Sequence, residues 1–406
     1  MRLVLPSLRR STRLLAGASA AAGVAALALV AVPAQAAENS WTVPRQATIT
    51  IDGHGYGHGH GMSQYGAEGA GRQGVGYRRI VEFYYPNTRW GTARGPVRVL
   101  ISADTSDDLL VVARSGLQVR GTGGGGFTTL PDNGASRWRI SSWGDGTNHV
   151  GYLTNTWHHY AALRGQGEFG AGGEPITLIT PSGSTQYRGR LRAAAPSSGS
   201  AARDTVNILP LDSYLRGVVP LEMPALWTPA AVRSQSVAAR TYAAYERAHP
   251  RAGHYQLCDT ASCQVYGGYS AEHSASDAAI DATRQQVLLS GGDPAFTQFS
   301  SSSGGWTAAG SFAYLPAKRD PYDGWSGNPV HSWSTSVTDA RLESQWPALG
   351  NLTSMRTTRD GHGDWGGRVR TVTLKGSQGR VQVSGDTFRS VLGLRSTWLT
   401  FRVARR

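Results

Sequence analysis

Residues 211–247 read LDSYLRGVVPLEMPALWTPAAVRSQSVAARTYAAYER, and this stretch organises the rest of the chain. The first piece, from about Asp212 to Val219, reads as a short helix that stops at Pro220, which has no N–H to continue the ladder. A second helix starts at Thr228, whose hydroxyl can cap free N–H groups, with Pro229 at the first helical position, where a missing donor does no harm. It runs to about Tyr245, rich in alanine, with Arg233, Arg240 and Arg247 on different faces. Between the helices stands Glu222, flanked by Leu221 and Met223 and bounded by Pro220 and Pro224. Apolar neighbours and two prolines would hold this carboxyl in a fixed, partly dry place. Desolvation raises a carboxyl pKa, which suits a general acid working near neutral pH. Taken alone, a glutamate between two helices reads equally as a solvated cap or an ion-pair partner.

A chain of 406 residues is long enough for one large or two ordinary domains. Residues 1–36 read as a signal peptide: Arg2, Arg9, Arg10 and Arg13 precede an apolar run from Leu14 to Val32, and Ala34-Gln35-Ala36 fits a small-x-small cleavage site. The expected mature chain begins near Ala37, is exported, and contains no further transmembrane segment. The net charge of +13 is carried almost wholly by arginine, since Lys318 and Lys375 are the only lysines. No Lys/Arg stripe with interleaved aromatics suggests nucleic acid, and the charge reads as general attraction to an anionic cell wall.

Ala47–Ile51 alternates like a strand and leads into Gly53–Gly74, GHGYGHGHGMSQYGAEGAGRQG. In extended form His54, Tyr56, His58 and His60 would share one face, with glycines allowing close backbone approach. Either the imidazoles converge on a metal, or they pack and hydrogen-bond in a strand-to-helix turn. The two cysteines also admit two readings. Cys258 and Cys263 close a small disulfide loop, or they join His254 as a three-ligand zinc set. Farther on, Ser300–Gly305 reads SSSSGG at a strand end, where small hydroxyls can bond a sugar without filling its groove.

These stretches together resemble the SpoIID/LytB domain family. The matching residues are Tyr214-Leu215, Gly217-Val218-Val219, Glu222-Met223-Pro224, Trp227 and Gln235–Tyr242, with Ser236 where alanine is usual. Gly57–Ala67 resembles the family's GHGVGMSQYGA, with His60 in place of valine, and Ile80–Thr88, Gln264–Gly268, the serine loop and Asp386–Leu394 follow family patterns as well. The resemblance implies that Glu222 is the catalytic acid of a peptidoglycan lytic transglycosylase. It implies substrate contacts from His58, Ser63, Gln64, Gln235, Arg240, Tyr266, Ser301, Ser302 and Ser303. Some relatives carry a His/Cys/Cys zinc site, which keeps His254, Cys258 and Cys263 open as a structural alternative to the disulfide; no other cofactor is implied. The glycine–histidine signature usually closes the domain, whereas here it opens it. A circular permutation accounts for this, and it requires Thr48–Ile51 to lie beside Trp398–Val403.

The remaining chain reads as an α+β protein with mixed and antiparallel sheets. Its expected parts are 37–95 completing the core, a smaller β-rich subdomain at 96–203, and a SpoIID-like catalytic core at 204–406. Within it we expect a helix over Tyr77–Tyr84, a hairpin of Ile176–Leu178 with Tyr187–Leu191, and a helix from Ser274, boxed by Asp277, to about Gln286. Trp138, Trp143, Tyr152 and Trp157 fall in the β-rich part, as core if buried and as sugar-stacking rings if exposed. The expected partners are peptidoglycan glycan strands and a cell-wall amidase. The rival function is a non-catalytic, amidase-enhancing module using the same groove, and a weaker one is a metal hydrolase built on His54, His58 and His60.

Overall fold

The computed structural model describes residues 38–143 and 147–406; the expected signal peptide lies outside the described residues. No helix among them is long and apolar enough to cross a membrane. The architecture is α+β, with mainly antiparallel sheets. Its buried apolar side chains gather around two large centres, one drawn from positions 62–315 and one from positions 43–51 and 342–401, with a small third group of Ala194, Val206 and Ile208.

The first centre is built on the helix Pro229–Ala248, which is buried around most of its girth. Its neighbours are the helices Leu211–Arg216, Gln64–Arg72, Tyr77–Tyr84 and Ser274–Ala282 and the strand Gln286–Ser290. Small residues make such close packing feasible, but they bring hydroxyls into the core. Ser234, Ser236 and Thr241 satisfy theirs by donating to the carbonyls of Ala230, Val232 and Val237 one turn back, at 2.7–2.8 Å. Thr228 caps the helix as expected, accepting from the Ala231 N–H. Its own N–H and hydroxyl both donate to buried Glu68, at 2.8 Å each, so the helix Gln64–Arg72 is tied to the positive end of the long helix.

Six- and seven-stranded sheets supply the rest of this centre. In the larger sheet Pro96–Leu100 pairs with Asp204–Pro210, so positions 96 and 204 sit in neighbouring strands. The smaller sheet turns Leu109, Val111, Trp138, Ile140, Val150 and Leu178 inward. Some expected details differ. Ile176–Thr180 pairs with Gly183–Tyr187 across a tight turn, and Leu191 belongs to the next strand in the other sheet. The helix at 274 is capped by the His273 ring, not by Ser274, and stops at Ala282. Leu211–Arg216 ends before Gly217, and Val219–Glu222 forms a separate single turn with Pro220 near its start, where no N–H is needed.

The second centre contains the sheet of Glu38–Thr42, Leu352–Arg359, Val369–Gly376 and Arg380–Ser384. Beside it, Ala47–His54 lies between Ser332–Thr338 and Leu399–Arg405, antiparallel to both, with Ile51 opposite Phe401. The strand therefore does pair with the C-terminal segment.

Between the two centres the chain passes through Gly55–Gly61, and this passage is not an extended strand. Gly55, Gly57, Gly59 and Gly61 all have φ between 67° and 105°, which removes the simple alternation that would align the histidines. Glycine is also required sterically. A Cβ on Gly57 would come within 2.7 Å of the Ser300 Cβ, and one on Gly61 would collide with the Gln298 carbonyl. The segment is thereby laid against 298–303, with Met62-Ser63 pairing in parallel with Phe299-Ser300.

Asp323 fastens this junction from beneath. Its carboxylate, fully buried, accepts from the Ser63 hydroxyl (2.6 Å), the Ser302 hydroxyl (2.8 Å), the N–H groups of Ser303 and Gly304 (3.0 Å each), Asn328 Nδ2 (3.1 Å) and His331 Nδ1 (2.8 Å). Burial alone would raise its pKa, but the bonds from His331, Ser63 and Ser302 outweigh that and hold the carboxyl below its ordinary value. Asp320 next to it is pushed up to about 6, by burial first and then by the Asp323 charge; it accepts from Tyr84 and Ser303 hydroxyls at 2.9 and 2.7 Å.

Asp323→Asn keeps the side-chain volume but turns one acceptor into a donor facing donors. It should lower the unfolding free energy by about 3–5 kcal/mol, read from the urea midpoint. Gly61→Ala, which adds a backbone collision to an unfavourable φ, should cost about 2–4 kcal/mol in the same measurement.

Candidate functional site

Glu222 closes the single turn Val219–Glu222, its N–H bonded to the Val218 carbonyl at 3.1 Å and its neighbour Met223 buried. The side chain reaches a groove of about 290 Å³, whose walls include His58, Tyr242, Arg251, Val265, Gln298 and Phe299. No other Asp or Glu lines this groove among the described residues. One carboxylate oxygen, Oε1, accepts from the Val265 N–H at 2.9 Å. Burial raises the Glu222 pKa, and the Val265 N–H partly offsets it. Arg251, the cation of the groove, is committed elsewhere, to Glu246 at 2.9 Å and to the Tyr242 hydroxyl at 3.3 Å.

The N–H that orients Glu222 is itself positioned by the residues on either side. Gln264 and Tyr266 are buried, while Val265 between them is exposed. Gln264 accepts from the Tyr214 hydroxyl at 3.3 Å and donates to the Ala239 carbonyl of the long helix at 3.3 Å. Tyr266 donates its hydroxyl to Asn207 at 2.7 Å. The loop is closed on its other side by the Cys258–Cys263 disulfide. With both sulfurs bonded to each other, the His254, Cys258 and Cys263 set has no thiolate to offer a zinc ion, and His254 instead lies 2.6 Å from Asp204. This corrects the zinc alternative.

His58 joins the groove wall through the glycine-rich segment. Its Nδ1 accepts from the His60 N–H at 2.9 Å, and the two rings stack with centroids 5.0 Å apart. Burial, reinforced by His60, Arg368 and Arg389, pushes the His58 pKa down to about 3, so its imidazole is neutral. His54 goes elsewhere: it stacks on Trp365 at 4.5 Å and bonds Ser332. The three histidines do not converge, because the left-handed glycines turn the chain between them.

Several residues expected to touch a ligand lie under the groove. Arg240 is fully buried, donating to Asp212 at 2.7 Å and to the Ile280 carbonyl at 3.2 Å. Gln235 is fully buried and accepts from Gln64, itself nearly buried, at 3.5 Å. Ser63, Ser302 and Ser303 spend their hydroxyls on Asp323 and Asp320, and Tyr266 spends its own on Asn207. These six side chains cannot face a ligand in this conformation; they hold the groove's walls in place. Ser301 alone of the three expected loop serines is partly exposed. Asp320 and Asp323 were missed from the sequence. Two of their partners, Ser63 and Tyr84, lie more than 230 positions away, and only the acid pair in Asp320-Pro321-Tyr322-Asp323-Gly324, with His331 eight residues after Asp323, hinted at a buried network.

Residues 200–289 match the family described as stage II sporulation protein (SpoIID). Similar proteins include the amidase enhancer of Bacillus subtilis, 36% identical over 137 residues, which are 32% of this chain and 18% of that one. They also include stage II sporulation protein D of Bacillus amyloliquefaciens, 27% identical over 218 residues, 47% of this chain and 60% of the relative. The same protein from Bacillus subtilis is 26% identical over 225 residues, 48% and 61% of the two chains. The chain thus spans from under a fifth to about three fifths of these relatives. The matched segment contains Glu222, the long helix, the disulfide loop and Val265: the chain carries a SpoIID family domain, with the amidase enhancer and stage II sporulation protein D among its homologues.

Proposed function

We propose that the protein is an exported lytic transglycosylase that cleaves peptidoglycan glycan strands between N-acetylmuramic acid and N-acetylglucosamine. The observation that carries this reading is the lone carboxyl of the groove, partly dehydrated and held by a single backbone N–H. Hydrolases of either stereochemistry use two carboxyl groups flanking the bond, one to protonate and one to attack or to activate water. A transglycosylase needs one. Protonated Glu222 gives its proton to the glycosidic oxygen as the C1–O bond breaks. The resulting carboxylate then takes the proton of the muramic acid 6-hydroxyl, whose oxygen closes on C1 to form the 1,6-anhydro ring. Glu222 ends as it began, and no water is consumed. Val265 holds Oε1, leaving Oε2 to carry the proton both ways. Gln298 offers hydrogen bonds to sugar hydroxyls without adding charge, and neutral His58 shapes the wall beside it. Residues 1–36 serve as the export signal in this reading, and the pairing of Ala47–His54 with Leu399–Arg405 supports a permuted domain order, because it joins the segments that permutation separates.

The similarity to an amidase enhancer favours a second reading, in which the groove binds glycan without cutting it and a wall amidase is the catalyst. Peptidoglycan stripped of its peptides separates the two. Transglycosylase action yields anhydromuramic ends by mass spectrometry, and Glu222→Gln should reduce their rate by about 10²–10⁴. Glycan binding with no anhydro products from the parent protein selects the second reading. Since the first step needs Glu222 protonated, kcat/KM should fall as pH rises through its elevated pKa. That alkaline limb should sit above the one expected for an ordinary glutamate of pKa 4.5.

A further inference from the structure

The outer face of the six-stranded sheet carries a feature that the Glu222 groove does not use. Three adjacent strands, Arg137–Ser142, Asn148–Leu153 and Trp157–Leu163, turn Trp138, Ile140 and Val150 into the core. On the opposite face Gly151 of the middle strand stands in register with Arg139 on one side and His159 on the other. Having no side chain, Gly151 forms the floor of a trough of about 140 Å³. One wall is Trp143, stacked on His149 at 3.6 Å with the planes 12° apart. The other is Trp157, with the Arg139 guanidinium 4.0 Å from its ring centroid. His159 completes the set, 3.2 Å from His149.

An outward sheet face is ordinarily polar, so two indoles here need an account. Trp143 and Trp157 are 51% and 38% exposed. Neither donates its N–H to a described residue, so both indole donors are free at the rim of the trough. Trp138, in the same strands, is buried as core. Flat apolar walls with unused donors at their edges fit a ligand that is apolar on its ring faces and polar around its rim, which describes a pyranose. Arg139 adds charge that Asp108, 3.9 Å away, engages only loosely, in a chain of net charge +13. It would complement a carboxylate or phosphate on the same polymer. A single arginine is not the phosphate-tracking stripe that nucleic acid requires.

We propose that this trough is a second saccharide-binding site, taking one ring of an acidic polysaccharide between Trp143 and Trp157. It shares no residue with the Glu222 groove, and it stands on the strand register and the aromatic geometry whether or not Glu222 is catalytic.

The test uses the full chain carrying Glu222→Gln throughout, so that cleavage cannot alter retention. Retention on immobilised peptide-free glycan strands gives a Kd for that parent, for Trp143→Ala/Trp157→Ala, and for Gly151→Leu, which fills the trough from its floor. Both variants should bind about tenfold more weakly, a loss of about 1.4 kcal/mol, and the double tryptophan variant should keep its thermal midpoint. Amidating the polymer's carboxyl groups should weaken the parent and leave the double variant unaffected. Tryptophan fluorescence of the parent should change on saturation, and that of the double variant should not. Binding within twofold of the parent by both variants, or no binding by the parent, overturns the proposal. A separate assay of anhydro products with wild-type Glu222 reports on the transglycosylase reading, so either idea can fail alone.

Discussion

A carboxylate taken out of water must be surrounded by donors, and in this protein Asp323 meets that requirement by drawing on three separate segments. Ser63 comes from the end of the glycine-rich passage, Ser302 to Gly304 from the serine loop, Asn328 and His331 from the chain beyond Asp323 itself. Remove any one and a buried charge is under-bonded, so the segments are held together as a set. The glycine passage can lie against the serine loop only because it has no side chains at the contacts. His58, Gln298 and Phe299 thereby become part of the groove's lining, and Glu222 reaches the same groove on its single helical turn.

The lining around Val265 obeys the same logic with neutral groups. Gln264 and Tyr266 bury their polar ends on Tyr214, Ala239 and Asn207, which leaves the exposed residue between them no freedom in where its N–H points. Arg240 fixes the long helix to Asp212 and to the carbonyls closing the helix Ser274–Ala282. The motif residues thus fall into two kinds. A few face the groove, and a larger number are polar struts whose hydrogen bonds are spent inside the protein.

That division explains what could be read from the chain. Local rules served well where the cause is local: the Thr228 cap, Pro229 at the helix start and the alternating strands. The family pattern pointed to the right segments but could not separate a strut from a contact, since both are specified by one residue type at one place. Gln235, Arg240, Tyr266, Ser63, Ser302 and Ser303 were read as contacts for that reason. The histidine alternation failed because glycine permits backbone conformations that break a two-residue period. Asp323 was invisible because no local pattern joins the serine loop, Asn328 and His331 to it, and Ser63 lies 260 positions away.

The three-stranded sheet at the second centre has a temporal corollary. Ala47–His54 is among the first of the described strands to be synthesised, yet both of its neighbours, Ser332–Thr338 and Leu399–Arg405, are made nearly three hundred residues later or more. A nascent chain can assemble the centre built from positions 62–315 first, but the inner strand of this sheet lacks its first neighbour until positions 332–338 emerge and its second until positions 399–405 do. Completion of this sheet therefore waits on positions 399–405, and losing that strand would leave one edge of Ala47–His54 unpaired.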